Sequence, residues 1–503
     1  MGDLTYGLST LLRLVGAAWS LVRADALAPR EIAPLLPGWA RFLAGFLRLF
    51  AGREARSGRP GERLARVLER QGPVAIKLGQ FLSTRGDVFG GIFAEDLGRL
   101  KDRLAPFARP VAIAEVERAL GRPLESLFSS FDVAVGAASL AQVHAATLLD
   151  GRRVAVKVLR PGVEARVAAD IAALHLAARL VDITAPAARR LAPRAFVNTI
   201  ARALRLELDL RFEAAGADEL RQAMSVDPYM TAPAVVWDGV ARRVLTLEWV
   251  IGDALSEAAV LDRPGLDRPR LAGDLIRAFL AQAMDHGVFH ADLHEGNLFV
   301  DPRGRLVAVD FGIVGRLGPG ERRYLAEILW GFLNRDYPRV AAVHFEAGYV
   351  TAGHDRAAFA QALRAVGEPI FGRAAGDVSM NRLLTQLFEI TALFEMRLRP
   401  ELVLLQKTMV TVEGVARRVD PGLDIWAAAE PVVRRWITRE LSPGRRLRDL
   451  GEQARGALTR LAEGAAPASP VPPPMTGQGF DGGSFALGIA AAALAFLAGW
   501  LVH

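Results

Sequence analysis

The sequence predicts an α+β protein in two lobes, a strand-rich lobe followed by a mostly helical one, with a helical extension ahead of them and an apolar segment at the end. Three observations carry this expectation. The segment FDVAVGAASLAQVHAATLLDGRRVAVKVL reads as strands joined at Asp150 and Gly151, the strongest short-range hairpin signal. The segment PRLAGDLIRAFLAQAMDHG puts Leu271, Leu275, Phe279 and Ala283 on one helical face and stops at Gly287. A second hairpin follows, LFV and LVAV around a turn at Pro302 to Gly304.

At 503 residues and 51% hydrophobic content the chain can bury more than one core, and its length corresponds to about three domains. The expected boundaries are 1–110 for the extension, 111–252 for the strand-rich lobe with a helical insertion, 253–440 for the helical lobe, 441–483 for a basic and then Pro-rich linker, and 484–503 for a transmembrane segment. The absence of Cys excludes disulfides and thiolate metal sites and suits a reducing compartment. The formal charge of +7 rests almost wholly on Arg, because Lys occurs only at Lys77, Lys101, Lys157 and Lys407. Such a surface suits phosphate or anionic lipid. No basic run is interleaved with aromatics, so no nucleic-acid partner is expected.

The amino-terminal stretch carries Asp3 in place of a basic leader, and Arg13 lies inside its apolar run. Leu4, Leu8, Leu11, Leu12 and Val15 share one helical face, which predicts packing against the body. At the other end AAPASPVPPP is a stiff linker, after which Phe485 to Val502 run without a charge. Eighteen residues rise about 27 Å as a helix, at the short end for a membrane span. Arg445, Arg446, Arg448, Arg455 and Arg460 precede it and would hold the large domain on the cytoplasmic side, so the expected location is the inner membrane with a single carboxy-terminal span.

The chemistry is concentrated between His290 and Gly312, HADLHEGNLFVDPRGRLVAVDFG. A loop bearing Asp292 and Asn297 leads through the second hairpin to Asp310, so one magnesium pocket can receive both Asn297 and Asp310 while Asp292 faces the incoming nucleophile. This is the H-R-D-x-x-x-x-N and D-F-G arrangement of kinases, with Ala291 in place of the arginine. His286, His290 and His294 recur every fourth residue, yet Gly287 interrupts the helix and position 291 is Ala, so His290 is expected to brace the loop by hydrogen bonds and not to chelate a metal.

Upstream, VAVK places Lys157 on a strand, where an ammonium reaches the α- and β-phosphates of ATP. The preceding turn has Gly136, Ala137, Ala138, Ser139, Leu140, Ala141 and then Val143, where a kinase has a glycine-rich loop, and each methyl limits how closely the backbone folds over phosphate. Between positions 165 and 206 the only acids are Asp170 and Asp182, so Glu207 is the expected partner of Lys157, with Asp209 and Glu213 nearby and an inserted helical segment in between. The strand RRVLTLEWVIG ends at Glu248 to Gly252, where the backbone groups of a hinge would receive adenine.

The segment GPVAIKLGQFLSTRGDVF adds a K-x-G-Q motif of Lys77, Gly79 and Gln80. With the alanine loop, Glu207-x-Asp209, HADLHEGN, VDFGIVG and QKTMVTVEGVARRVDP, the chain closely resembles the UbiB family of atypical kinase-like proteins over roughly residues 60 to 440. The resemblance implies a protein-kinase-like bilobal fold with the K-x-G-Q segment packed over the active site. It implies a membrane-associated ATPase supporting ubiquinone biosynthesis, with ATP and Mg2+ as cofactors and polyprenylphenol or quinone intermediates, membrane lipid and other quinone-biosynthesis enzymes as partners. It assigns ATP contact to Lys157, its ion pair to Glu207, acid–base work to Asp292, magnesium to Asn297 and Asp310, and a regulatory role to Lys77 and Gln80. Glu295 stands where the family usually has Pro, and its charge is expected to weaken magnesium binding. A protein Ser/Thr kinase and a nucleotide-gated lipid-binding scaffold without catalysis are the competing functions. The first lacks an A-P-E segment after Asp310, and the second has no need of an intact Asp292.

Overall fold

The computed structural model describes residues 2–26, 38–52, 55, 57–83, 91–98, 100, 105–184, 193–371, 390, 393–394, 396 and 400–440. The described chain separates into two compact units, one running to Phe212 with Val236–Thr246 added, the other made of Glu213–Val235 and the residues from Leu247 onward.

The first unit begins with the helices α1 (Gly2–Arg23), α2 (Gly38–Leu47), α3 (Pro60–Gln71), α4 (Pro73–Ser83), α5 (Gly91–Gly98) and α6 (Arg109–Leu120). Ala65, Leu68, Leu97 and Leu100 form a small core among them. Gly79 sits where a Cβ would stand 2.2 Å from the Leu100 side chain and 2.8 Å from that of Leu68, so any larger residue would have to displace both leucine ends. The antiparallel strands β1 (Phe128–Ala137), β2 (Ala141–Leu148) and β3 (Arg153–Leu159) follow, and β5 (Val244–Glu248) completes the order β1-β2-β3-β5. The predicted hairpin forms, with Val143 opposite Lys157, and its turn holds Gly151 at φ 87°, a left-handed conformation that favours glycine. Val154, Val156 and Val158 alternate into a core with Phe128, Phe131 and Val116. Gln142 ties the extension to the sheet, accepting from the Phe107 amide at 2.8 Å and donating to its carbonyl at 3.2 Å.

The inserted segment expected after Lys157 is two helices, α7 (Val163–Thr184) and α8 (Pro193–Glu207). α1 packs on α7, where Arg13 pairs with Asp170 at 2.5 Å. α1 thus packs on the body, but of the face expected to do so only the Val15 side chain is described, and it is exposed, as is Trp19. Helix α9 (Leu210–Met224) then leads into the second unit.

The second unit contains the short strands β4 (Met230–Thr231), β6 (Asp253–Ala254), β7 (Val288–His290), β8 (Leu298–Val300), β9 (Leu306–Ala308) and β10 (Val314–Arg316). Its helices are α10 (Ala258–Leu261), α11 (Arg268–Ala281), α12 (Pro319–Leu333), α13 (Tyr337–Glu346), α14 (Arg356–Phe371), α15 (Pro400–Val419) and α16 (Ile425–Glu440). Leu271, Leu275, Phe279 and Ala283 are buried together as the periodicity predicts, and α11 widens into a π-turn over Gln282–His286 before Gly287 ends it at φ 70°. β8 and β9 form the second predicted hairpin, with Leu298 opposite Ala308.

The expectation of a carboxy-terminal transmembrane helix is corrected. Among the described residues no helix is long and apolar enough to cross a membrane, and the segment 484–503 lies outside the described residues, as does the linker 441–483. The inner-membrane location with a single span, which rested on that segment alone, falls with it.

Candidate functional site

The loop after β7 is built around a buried histidine. His290 is fully buried, its Nε2 is 3.0 Å from the Val309 carbonyl, and its Nδ1 accepts from the Asp292 amide at 3.1 Å. Those partners require a neutral ring with the proton on Nε2. Burial pushes its pKa below the ordinary histidine value, outweighing the opposing pull of the Val309 carbonyl and of Asp310 and Asp292. His290 thus braces the loop by hydrogen bonds, as its sequence context predicts. Its own amide donates to Gln282 Oε1 at 3.0 Å, and Gln282 belongs to the π-turn.

Asn297 is 8% exposed and donates through Nδ2 to the Asp292 carbonyl at 3.0 Å. The amide nitrogen is thereby committed, which leaves the oxygen as the atom that can serve a hard cation. The Val309 amide donates to the Asn297 carbonyl at 2.9 Å, and the Ala291 amide to the Ile313 carbonyl at 3.0 Å. Backbone bonds therefore stitch the segment bearing Asp292 and Asn297 to the segment bearing Asp310. Asp310 has φ 60°, a conformation that costs a residue with a Cβ about 1–2 kcal/mol and persists where surrounding structure enforces it. An amide oxygen just before β8 and a carboxylate just after β9 are the kinds of oxygen ligand that magnesium takes.

The Asp292 side chain is 34% exposed, enough to meet a substrate, and its Oδ2 lies 3.6 Å from His294 Nε2. His294 Nδ1 accepts from the Gly296 amide at 3.0 Å, which turns the other ring nitrogen toward Asp292. His286 instead lies near Asp227, with Nε2 at 3.8 Å. The three histidines face three different sets of partners.

The charge of Glu295, expected to weaken magnesium binding, is met by an ion pair to Arg418 that the sequence reading missed. The carboxylate is compensated, and the expected penalty does not follow from a lone charge. The pairing partners are far apart in the chain, so no local pattern announces it.

In the first unit the alanine loop closes tightly. Gly136 pairs with Val143 and Ala137 with Gln142 across β1 and β2, and the Ala138 amide donates to the Ala141 carbonyl at 2.8 Å. Ser139, Leu140 and Ala141 are buried, and Arg160 Nε donates to the Ala138 carbonyl at 2.9 Å. Lys157 is half-buried on β3 beside Val143. Glu207, expected to pair with Lys157, carries an ion pair to Lys77 at 3.0 Å. Helix α4 packs on α7 and α8, which brings Lys77 to the end of α8. Gly79 is buried and Gln80 half-buried on the same helix. Asp209, held well below the usual carboxylate range by hydrogen bonds from Arg211, turns away to its neighbour in sequence. Glu213 is buried in the first turn of α9, and only its place beside Glu207-x-Asp209 marked it in sequence. At Glu248 the backbone amide donates to the Ala234 carbonyl at 2.8 Å, and the side chain is exposed.

A family model described as ABC1 atypical kinase-like domain matches residues 99–344, and a UbiB helical domain model matches residues 363–424. A relative from Xanthomonas euvesicatoria pv. vesicatoria, named Probable protein kinase UbiB, is 42% identical over 437 residues, covering 84% of this chain and 78% of the relative. This chain belongs to the UbiB family. A Xylella fastidiosa relative of the same name is 39% identical over 432 residues, with the same 84% and 78% coverage. Among solved structures, the Rv3197–erythromycin complex of Mycobacterium tuberculosis matches with a TM-score of 0.54 at 24% identity, covering 73% of this chain and 93% of that one, which supports the fold. The UbiB chain is therefore an atypical kinase-like protein, and its kinase-like domain contains every residue singled out for ATP and magnesium.

Proposed function

We propose that this UbiB protein binds ATP with magnesium and acts as an ATPase or small-molecule kinase in support of ubiquinone biosynthesis. The observation that carries the reading is the loop from His290 to Asp310, where a neutral buried histidine, a committed asparagine nitrogen and a left-handed aspartate hold three oxygen-bearing groups in the order phosphoryl transfer needs. Lys157 contacts the α- and β-phosphates as a point charge. Asn297 and Asp310 hold magnesium, which when bound neutralises charge on the phosphate oxygens. Asp292 takes the proton of the attacking hydroxyl, from water or from a small-molecule acceptor, as the bond to the γ-phosphorus forms and the bond to the β-phosphate oxygen breaks. The membrane lipid, polyprenylphenol intermediates and companion enzymes expected from the resemblance are partners under this same reading.

Peptide phosphorylation is disfavoured by the chain after Asp310. β10 pairs back onto β7 through Val314 and His290, and α12 starts at Pro319, so little chain remains to dock a peptide. Quinone profiling of cells lacking the gene tests the reading. Wild type restores the quinone pool and Asp292→Asn does not. Restoration by both would assign the protein to scaffolding instead of chemistry.

A further inference from the structure

Helix α15 reaches the catalytic loop at two separated points. The buried Thr408 hydroxyl lies 3.1 Å from the carbonyl of Ala291, the residue before Asp292, and 2.8 Å from the Leu404 carbonyl in its own helix. Farther along, Arg418 pairs with Glu295, two residues before Asn297. The neighbouring Arg417 bonds within the helix to the buried Glu413 at 2.8 Å, so Arg418 is the cation turned to the loop. α15 also packs on α11 and on β10, the strand paired with β7. Its residues 400–419 lie inside the match to the UbiB helical domain and outside the match to the kinase-like domain.

We propose that Thr408 and Arg418 are positioning residues for the phosphoryl chemistry, one holding the start of the catalytic loop at Ala291 and the other its metal-side turn at Glu295. The carboxy-terminal helical segment is then a working part of the catalytic apparatus. The proposal rests on the ATP reading above. Its physical basis is that the loop between β7 and β8 is short of regular structure, and Asp292 and Asn297 keep their geometry only as well as the peptides around them are held. A hydroxyl on a buried carbonyl and an ion pair at the opposite end restrain two peptides that strand pairing does not reach.

The test uses the full chain, with ATP and magnesium as ligands. Thr408→Val keeps shape and removes the donor, and is expected to lower kcat about tenfold while KM for ATP stays within about twofold. Thr408→Ser keeps the hydroxyl and should stay within about threefold of wild type. Arg418→Glu should lower kcat in the same manner, and the swap Glu295→Arg with Arg418→Glu should recover most of the loss. Hydrogen exchange of the nucleotide-free protein gives a second readout. The His294 and Asn297 amides should exchange faster in Thr408→Val and Arg418→Glu, with α11 unchanged. An unchanged kcat in the valine and glutamate variants, serine falling as far as valine, or unaltered exchange at the loop would overturn the proposal. Should wild type neither bind nor hydrolyse ATP, the ATP reading fails, and the exchange rates still decide whether α15 holds the loop.

Discussion

The Lys77 ammonium lies 3.0 Å from the Glu207 carboxylate, with side-chain exposures of 16% and 17%. This pair joins the K-x-G-Q helix to the last residue of the inserted helix α8. Removing one partner leaves a poorly solvated charge, so Lys77→Met should destabilise the protein by about 1–3 kcal/mol. The swap Lys77→Glu with Glu207→Lys should recover most of this in urea denaturation. Equal stability of the single variant and wild type would show that the pair contributes nothing.

Gly79 makes a second, steric prediction on the same helix. A methyl there meets Leu100 and Leu68 at distances real side chains do not show. Gly79→Ala should therefore cost about 1–3 kcal/mol, read as a lower urea midpoint with unchanged slope. Combining it with Leu100→Ala should lower the additional cost, because the shortened side chain vacates the clash.

Much of the hairpin beside Asn297 and Asp310 was legible because its information is local. Asn297 and Asp310 bracket one strand, turn and strand, with Asp292 just ahead, and the pairing of Leu298 with Ala308 and Val300 with Leu306 fixes the register. The hairpin around Gly151 was legible for the same reason. Ion pairs across long separations were not, since charge complementarity alone offers each Arg or Lys many acids. The pair of Lys77 with Glu207 was missed, because the fold delivers Lys77 from a helix far upstream. Arg418 and Glu295 were missed on the same grounds, and Thr408 because a buried hydroxyl looks like an ordinary helix position.

Three buried histidines predict an acid-sensitive fold. Burial lowers the pKa of His144, His290 and His344 in the folded state. Below the unfolded value near 6.5 the unfolded chain takes up protons that these folded sites refuse, so stability falls as pH drops from 6.5 toward the depressed folded values. Each such proton contributes a slope of up to about 1.4 kcal/mol per pH unit. Asp170 and Glu413, raised by burial, act in the opposite direction nearer their own range. Urea unfolding at several pH values between 7.5 and 5.5 should show the decline, and a flat profile would contradict it.

Gly287→Ala should damage the loop from its support side. The residue needs φ 70°, and a Cβ would lie 2.7 Å from the Leu317 carbonyl oxygen, the residue whose amide donates to the Gly287 carbonyl at 2.8 Å. A loss of at least about 1–2 kcal/mol is expected from the left-handed conformation alone. The same denaturation measurement reads it.

The central claim is the proposal that Asn297 and Asp310 hold magnesium for a bound ATP. Calorimetric titration of ATP into the full chain, with magnesium and with chelator, tests it most directly. Wild type should bind only with magnesium, and Asp310→Asn should lose that binding while remaining folded. Equal affinity in the presence of chelator, or in the Asp310→Asn variant, would contradict the account.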